Sequence, residues 1–163
     1  MSLGTAELEA FVQKLVAAPE RWQGLVEHDP DRRTYGLIWD DEDVNAWVLC
    51  WSSRDHDTGF HDHDVSAAAI TVIQGRVRED RLRADGSARE IVYRAGSSFT
   101  VPADAIHRVL HAGDGPAVTI HAYSPPLRKQ GAYSLGEDGI LQRHVQSWED
   151  ELTADAPLLS GVT

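Results

Sequence analysis

The sequence predicts an all-β domain that closes as a barrel or a two-sheet jelly roll behind a short helical start. Three observations carry this. From Thr34 onward the chain is a series of brief apolar or alternating runs, "TYGLIW", "NAWVLCW", "AAAITVIQGRVREDRL", "REIVYR", "SSFTVP", "IHRVLHA" and "AVTIHAY"; alternation with β-branched and aromatic residues is the strand signature. The runs are broken by "DDED", "RADGS", "RAG" and "AGDGP", which is turn chemistry with glycine available for positive φ. Finally, 163 residues at 42% hydrophobic suffice for one core and not comfortably two, so many short strands must cover their edges against one another.

Taken in order, Leu8, Phe11, Val12, Leu15 and Val16 recur at three- and four-residue spacing and predict a first helix. "APE" opens a second short helix carrying Trp22, Leu25 and Val26, which "HDPD" stops. Residues 1–33 are thus expected as a helical segment packed on the barrel, 34–147 as the barrel itself, and 148–163 as an acidic tail. The last strands form a hairpin-like pair within "AYSLGEDGILQRHV". There is no repeat and no low-complexity segment.

Charge and composition exclude several classes. With 15 Lys+Arg against 26 Asp+Glu the formal net charge is −11, which repels phosphate backbones and anionic lipid surfaces, so neither nucleic acid nor membrane is an expected partner. No apolar run approaches the roughly 18 residues of a spanning helix, and "MSLGTAELEA" has no signal-peptide character; a cytoplasmic protein, monomeric or a small homo-oligomer, is expected. The one cysteine, Cys50, excludes an internal disulfide framework and a Cys-rich metal site. It lies in "WVLCW" and reads as core. Metal chemistry here must use histidine and carboxylate.

The stretch "GFHDHDVSAAAITVIQG" holds that chemistry. In a strand, positions i and i+2 share a face, so His61 and His63 project together while Asp62 faces away; the pair can grip one metal ion or merely share a polar loop. A third ring is available in "GSSFTVPADAIHRVLHAG", where His107 opens another alternating strand after a proline turn. His61, His63 and Gly75 in a His-x-His-x11-Gly pattern, and Gly96, Pro102 and His107 in Gly-x5-Pro-x4-His, resemble the two motifs of the cupin superfamily. The resemblance runs from Gly59 to Tyr123. Where cupins usually carry a glutamate ligand this chain has Ala67 and Ala68. Three neutral imidazoles without a carboxylate leave a divalent ion its full charge and open positions, which suits an anionic bidentate ligand such as a thiolate.

"TIHAYSPPL" places Thr119, His121 and Tyr123 on one strand face. Together with "SPP", the His-x-His segment and the upstream "LCW", it resembles the cysteine dioxygenase family of thiol dioxygenases. The resemblance implies Fe(2+) held by His61, His63 and His107, and a small thiol and O2 as partners. Both oxygen atoms pass to sulfur, giving a sulfinic acid. It further implies that Tyr123 donates a hydrogen bond near the sulfur or the oxygen, held by His121, with Thr119, where serine is usual, orienting His121 in turn. Other three-histidine cupins, such as zinc or nickel hydrolases and isomerases, or a non-catalytic cupin, are the alternatives.

Two departures limit the match. The cysteine that animal members link to their active-site tyrosine corresponds here to Ala68, so no crosslink forms. The Tyr-x-Arg that binds the substrate carboxylate is replaced by Tyr35, Gly36 and Leu37. A carboxylate in a barrel needs a charged or multiply hydrogen-bonded partner, and Arg33, which shares strand parity with Tyr35, is the nearest candidate, although Arg32 and Arg33 also read as surface charges. Cysteine is the expected substrate, with 3-mercaptopropionate or another thiol as the alternative. Trp39, Trp47 and Trp51 read as barrel packing, with Trp51 also a candidate to border the substrate. His28, His56 and His144 read as solvent-facing, His111 as an inward ring behind the metal ligands, and Asp62 and Asp64 as either orienting the imidazoles or facing water.

Overall fold

The computed structural model describes residues 1–147; the acidic tail expected from 148 on lies outside them. A helix, α1 (Thr5–Val16), is followed by two single 3₁₀ turns, Pro19–Arg21 and Gln23–Leu25. Then come eleven strands: β1 (Thr34–Asp40), β2 (Asn45–Trp51), β3 (His61–Asp62), β4 (Ala67–Gln74), β5 (Arg76–Leu82), β6 (Ala88–Arg94), β7 (Ser98–Val101), β8 (His107–His111), β9 (Ala117–Ser124), β10 (Lys129–Leu135) and β11 (Leu141–Ser147). They form two antiparallel sheets, one ordered β1-β2-β9-β4-β7 and one β11-β10-β3-β8-β5-β6. The all-β jelly-roll expectation holds. No helix among the described residues is long and apolar enough to cross a membrane.

The expected second helix is the first correction. Pro19 starts the segment, Gly24 interrupts it, and Trp22, between the turns, has extended φ at −132°, so only isolated turns form. The Trp22 indole instead donates to the Leu15 carbonyl, 3.0 Å away, and so caps the C-terminal end of α1.

Helix α1 explains why the five-stranded sheet is written in continuous apolar runs. Leu8, Val12 and Leu15 pack on its outer face against Ala46, Val48, Cys50, Ala69, Val118, Ile120 and Ala122. The alternate residues Trp47, Leu49, Trp51, Ala68, Ile70 and Val72 face the barrel core with Val77, Phe99 and Val109. Buried on both faces, β2, β4 and β9 have no solvent-facing side to alternate with. Cys50 is core as expected, and burial raises its thiol pKa, which leaves it unreactive.

The long run from Ala67 to Leu82 is cut into β4 and β5 at Gly75, where φ is +71°. A Cβ there would lie 2.5 Å from the Pro116 carbonyl oxygen and 2.9 Å from the Ala117 Cα, so both conformation and space demand glycine. Gly75→Ala is expected to cost at least about 1 to 2 kcal/mol, lowering the melting temperature by about 2 to 8 °C; an unchanged melting curve contradicts this.

Candidate metal centre

The short strand β3 exists because its neighbours supply its partners. His61 pairs with His107 of β8 on one side and with Ala132 of β10 on the other. β3 ends at Asp62, and the chain turns at Asp64 with φ +57°, so His63 lies just past the strand expected to carry it. The two histidines nevertheless share a face. His61 Nε2 is 3.1 Å from His63 Nε2, and His107 Nε2 is 3.2 Å from it. All three rings are buried, and their ligand atoms lie within 4.8 Å of one another.

The surroundings dictate which nitrogens are bare. His61 donates from Nδ1 to the Gly59 carbonyl at 3.0 Å, and His107 donates from Nδ1 to Glu79 Oε1 at 3.0 Å. Each then presents an Nε2 lone pair to the middle. Both lone pairs face His63 Nε2, and a single N–H there cannot properly serve two acceptors. A cation at the meeting point would be a partner for all three. Burial first, then the neighbouring imidazoles, holds His63 and His107 well below the usual histidine pKa, so both rings are neutral, as metal ligation requires.

Glu79 was not legible as a site residue. It lies on β5 at the same inward parity as Val77, in "RVREDRL", and is buried; an acidic residue at an inward strand position was the available signal. Burial raises its pKa, and Arg81 opposes this by donating to Oε1 from Nε at 3.1 Å and from Nη2 at 2.7 Å.

Asp62 does neither of the two things expected of it. It neither orients an imidazole nor faces water, but accepts two bonds from Arg143 of β11 at 2.7 and 2.8 Å, one from the Tyr133 hydroxyl at 2.6 Å and one from the Gly131 amide at 3.1 Å. Burial alone would raise its pKa, but these donors outweigh burial and hold it well below the usual carboxylate range. The residue between the two histidines is therefore a clasp that ties their loop to the terminal hairpin. Asp64 stays exposed, 3.5 Å from Arg143.

The opposite wall carries the second constellation. On β9, Thr119 Oγ1 lies 2.8 Å from His121 Nε2, and His121 Nδ1 lies 3.3 Å from the Tyr123 hydroxyl. Trp51 Nε1 donates to Thr119 Oγ1 at 3.0 Å, which leaves the Thr119 proton to point at His121 Nε2 and puts the His121 proton on Nδ1, toward Tyr123. Burial, then the charge of Arg33, pushes the His121 pKa down to about 3, so the ring is neutral. The Tyr123 ring stands edge-on to His63, with centroids 4.9 Å apart. Leu49, Thr58 and Val109 close a cavity of ≈ 10 Å³ beneath His61, His107, His121 and Tyr123, about the room of one water molecule. The His61 and His107 ligands thus hang from the six-stranded sheet, and the Thr119, His121 and Tyr123 series from the five-stranded one.

The remaining candidates separate. Arg33 is 7% exposed, falls opposite Trp51 by extension of the β1–β2 register, and holds its guanidinium carbon 5.4 Å from the Trp51 ring centroid. Arg32 is the surface charge, bound to Asp29. Tyr35 lies opposite Leu49 in the β1–β2 ladder and so on the barrel-facing side of edge strand β1, where it is 39% exposed. Ala68 lies directly across the ladder from Tyr123, with no thiol to offer. His28 and His144 are exposed, but His56 is buried, contrary to expectation, because its Nδ1 accepts the Ser52 amide and its carbonyl accepts the His111 amide. His111 points inward but donates from Nε2 to the Gly115 carbonyl at 2.7 Å, away from the metal ligands.

Comparison with known proteins agrees with this geometry. Residues 4–135 match the family model described as cysteine dioxygenase type I. Cysteine dioxygenase type 1 of Danio rerio is 25% identical over 138 residues, covering 78% of this chain and 68% of the relative. That of Homo sapiens is 26% identical over 131 residues, covering 74% and 65%. The chain thus spans about two thirds of the length of these relatives. Among solved structures, a protein with a double-stranded β-helix domain from Klebsiella pneumoniae superposes with a TM-score of 0.55 at 12% identity, over 74% of this chain and 91% of that one. It shares the fold, a double-stranded β-helix.

Proposed function

Since this chain belongs to the cysteine dioxygenase type I family, we propose that it is an iron(II)-dependent dioxygenase acting on a small thiol carboxylic acid, L-cysteine first and 3-mercaptopropionate second. The reaction joins one thiol and one O2 to give one sulfinic acid, and so needs no further reductant. The observation that carries the proposal is the pairing, in one barrel interior, of three bare imidazole nitrogens with the Thr119, His121 and Tyr123 chain on the facing wall. Iron(II) held by His61, His63 and His107 would supply a place for thiolate and O2 to meet, and would lower the thiol pKa.

The chain's own residues do the rest. The protein ligands carry no charge, so an anionic thiolate is drawn to the site. Trp51, Thr119 and His121 hold the Tyr123 oxygen as an acceptor, which frees the phenol proton to point at the sulfur or the oxygen. The walls around His61 and His107, Leu49 and Val109 among them, keep bulk water out.

Arg33 is the proposed carboxylate contact: buried, cationic and stacked on Trp51, it stands in for the arginine missing two residues after Tyr35. Arg33→Ala is expected to raise KM for cysteine by roughly ten- to a hundred-fold, the loss of one charge-assisted contact of about 1.5 to 3 kcal/mol. Cysteamine, which has no carboxylate, should be nearly unaffected. The decisive experiment is oxygen uptake by the Fe(II)-loaded protein with thiols that differ in amine and carboxylate placement. Fast oxidation of cysteamine and poor oxidation of cysteine would remove the carboxylate clamp and the substrate class, and no uptake with any thiol, in protein that holds iron, would end the dioxygenase reading.

A further inference from the structure

Among the buried polar atoms with no hydrogen-bond partner in the described residues are Nδ1 of His63 and Oε1 of Gln130. One is a ring nitrogen that must carry a proton when Nε2 faces a metal, and the other is an acceptor. The strand register makes them neighbours. In the β10–β3 ladder Ala132 lies opposite His61 and Gly131 opposite Asp62, and the Tyr133 amide donates to the Phe60 carbonyl in the same register. Carried one residue further, this sets Gln130 opposite His63. Alternation puts Gln130 on the face of Ala132 and His61, toward the barrel interior, and both Gln130 and His63 are 1% exposed. Opposed residues of an antiparallel ladder have Cβ atoms roughly 4.5 to 5.5 Å apart, a gap that a glutamine side chain spans.

We infer that Gln130 is a positioning residue for the metal centre, its amide oxygen accepting the Nδ1 proton of His63 when Nε2 of that ring is ligated. The inference rests on the metalloenzyme reading above and adds to it the missing third support. His61 is held through Nδ1 by the Gly59 carbonyl, and His107 by Glu79; of the three rings His63 lacks an acceptor, and the register sets Gln130 opposite it. The terminal torsion of a glutamine is broad, so the amide is free to turn its oxygen toward the ring. The neutrality of that amide has its own effect. Arg81 already balances the charge of Glu79, and a neutral acceptor behind His63 fixes the ring without subtracting from the positive charge that attracts an anionic ligand.

The test is metal affinity, measured without any thiol by competition of Co(II) or Fe(II) between the protein and a chelator. Gln130→Leu is expected to weaken binding by about ten- to a hundred-fold, while Gln130→Glu, which keeps an acceptor, should bind at least as tightly as the unmodified chain. The melting temperature of the metal-free forms should be nearly the same for all three. Equal affinity in Gln130→Leu, or equal loss in the leucine and glutamate variants, overturns the inference, the second because it would mark Gln130 as packing. An unmodified chain that takes up neither metal would overturn the metalloenzyme reading itself, a distinct result.

Discussion

His61→Ala is expected to leave the protein folded and without bound metal, its thiol oxidation at background. His61 supplies one of three Nε2 atoms, and positions 67 and 68, where related barrels carry a carboxylate ligand, hold alanines that offer no substitute. The loss should exceed the roughly ten- to hundred-fold typical of removing only an outer hydrogen-bond partner. Folding should survive because β3 is joined to β8 and β10 through backbone pairing, and the Asp62 clasp does not involve the ring. Metal content after dialysis, activity per protein and a melting curve check this together. Stoichiometric iron with retained turnover in the variant would show that the ligand set is wrong.

Tyr123→Phe is expected to do the opposite: keep the metal and lose the rate, by roughly 10²- to 10⁴-fold, as for a positioned proton donor. The substitution is unusually clean. The Tyr123 ring packs edge-on against Trp47, centroids 5.7 Å apart, and against His63 at 4.9 Å, and phenylalanine preserves both contacts. It also leaves the buried His121 Nδ1–H without its acceptor, so a loss of about 1 to 3 kcal/mol in stability should accompany the kinetic effect. Turnover per bound iron is the quantity to measure; if it is unchanged, the phenol takes no part in the chemistry.

These residues were readable in the sequence because they lie at strand spacing. Two-residue steps at His61 and His63, and at Thr119, His121 and Tyr123, fix a common face whatever the details of the barrel. What the sequence hid depends on pairing between distant segments. Arg33 and Tyr35 share parity, yet one is buried over Trp51 and the other exposed, because β1 is an edge strand whose barrel side is open at Tyr35 and Leu37. Asp62 looked like a partner for imidazoles until Arg143, far along the chain, claimed it. Glu79 and Gln130 looked like ordinary polar positions, since only the register of β5 on β8 and of β10 on β3 brings them to His107 and His63. The second helix failed for a local reason, a proline and a glycine in too short a segment.

The division of the centre between two sheets makes the barrel a caliper. One jaw carries the histidines of β3 and β8, the other the tyrosine series of β9, and the gap between the jaws is gauged by apolar side chains such as Leu49 and Val109, which line the cavity from opposite sides. These residues touch no proton and no ligand, yet they set how far the phenol stands from whatever the histidines hold. A methylene added or removed there would recalibrate reach without altering any reactive group, so the size of thiol the proposed enzyme accepts can drift through changes in its filling alone.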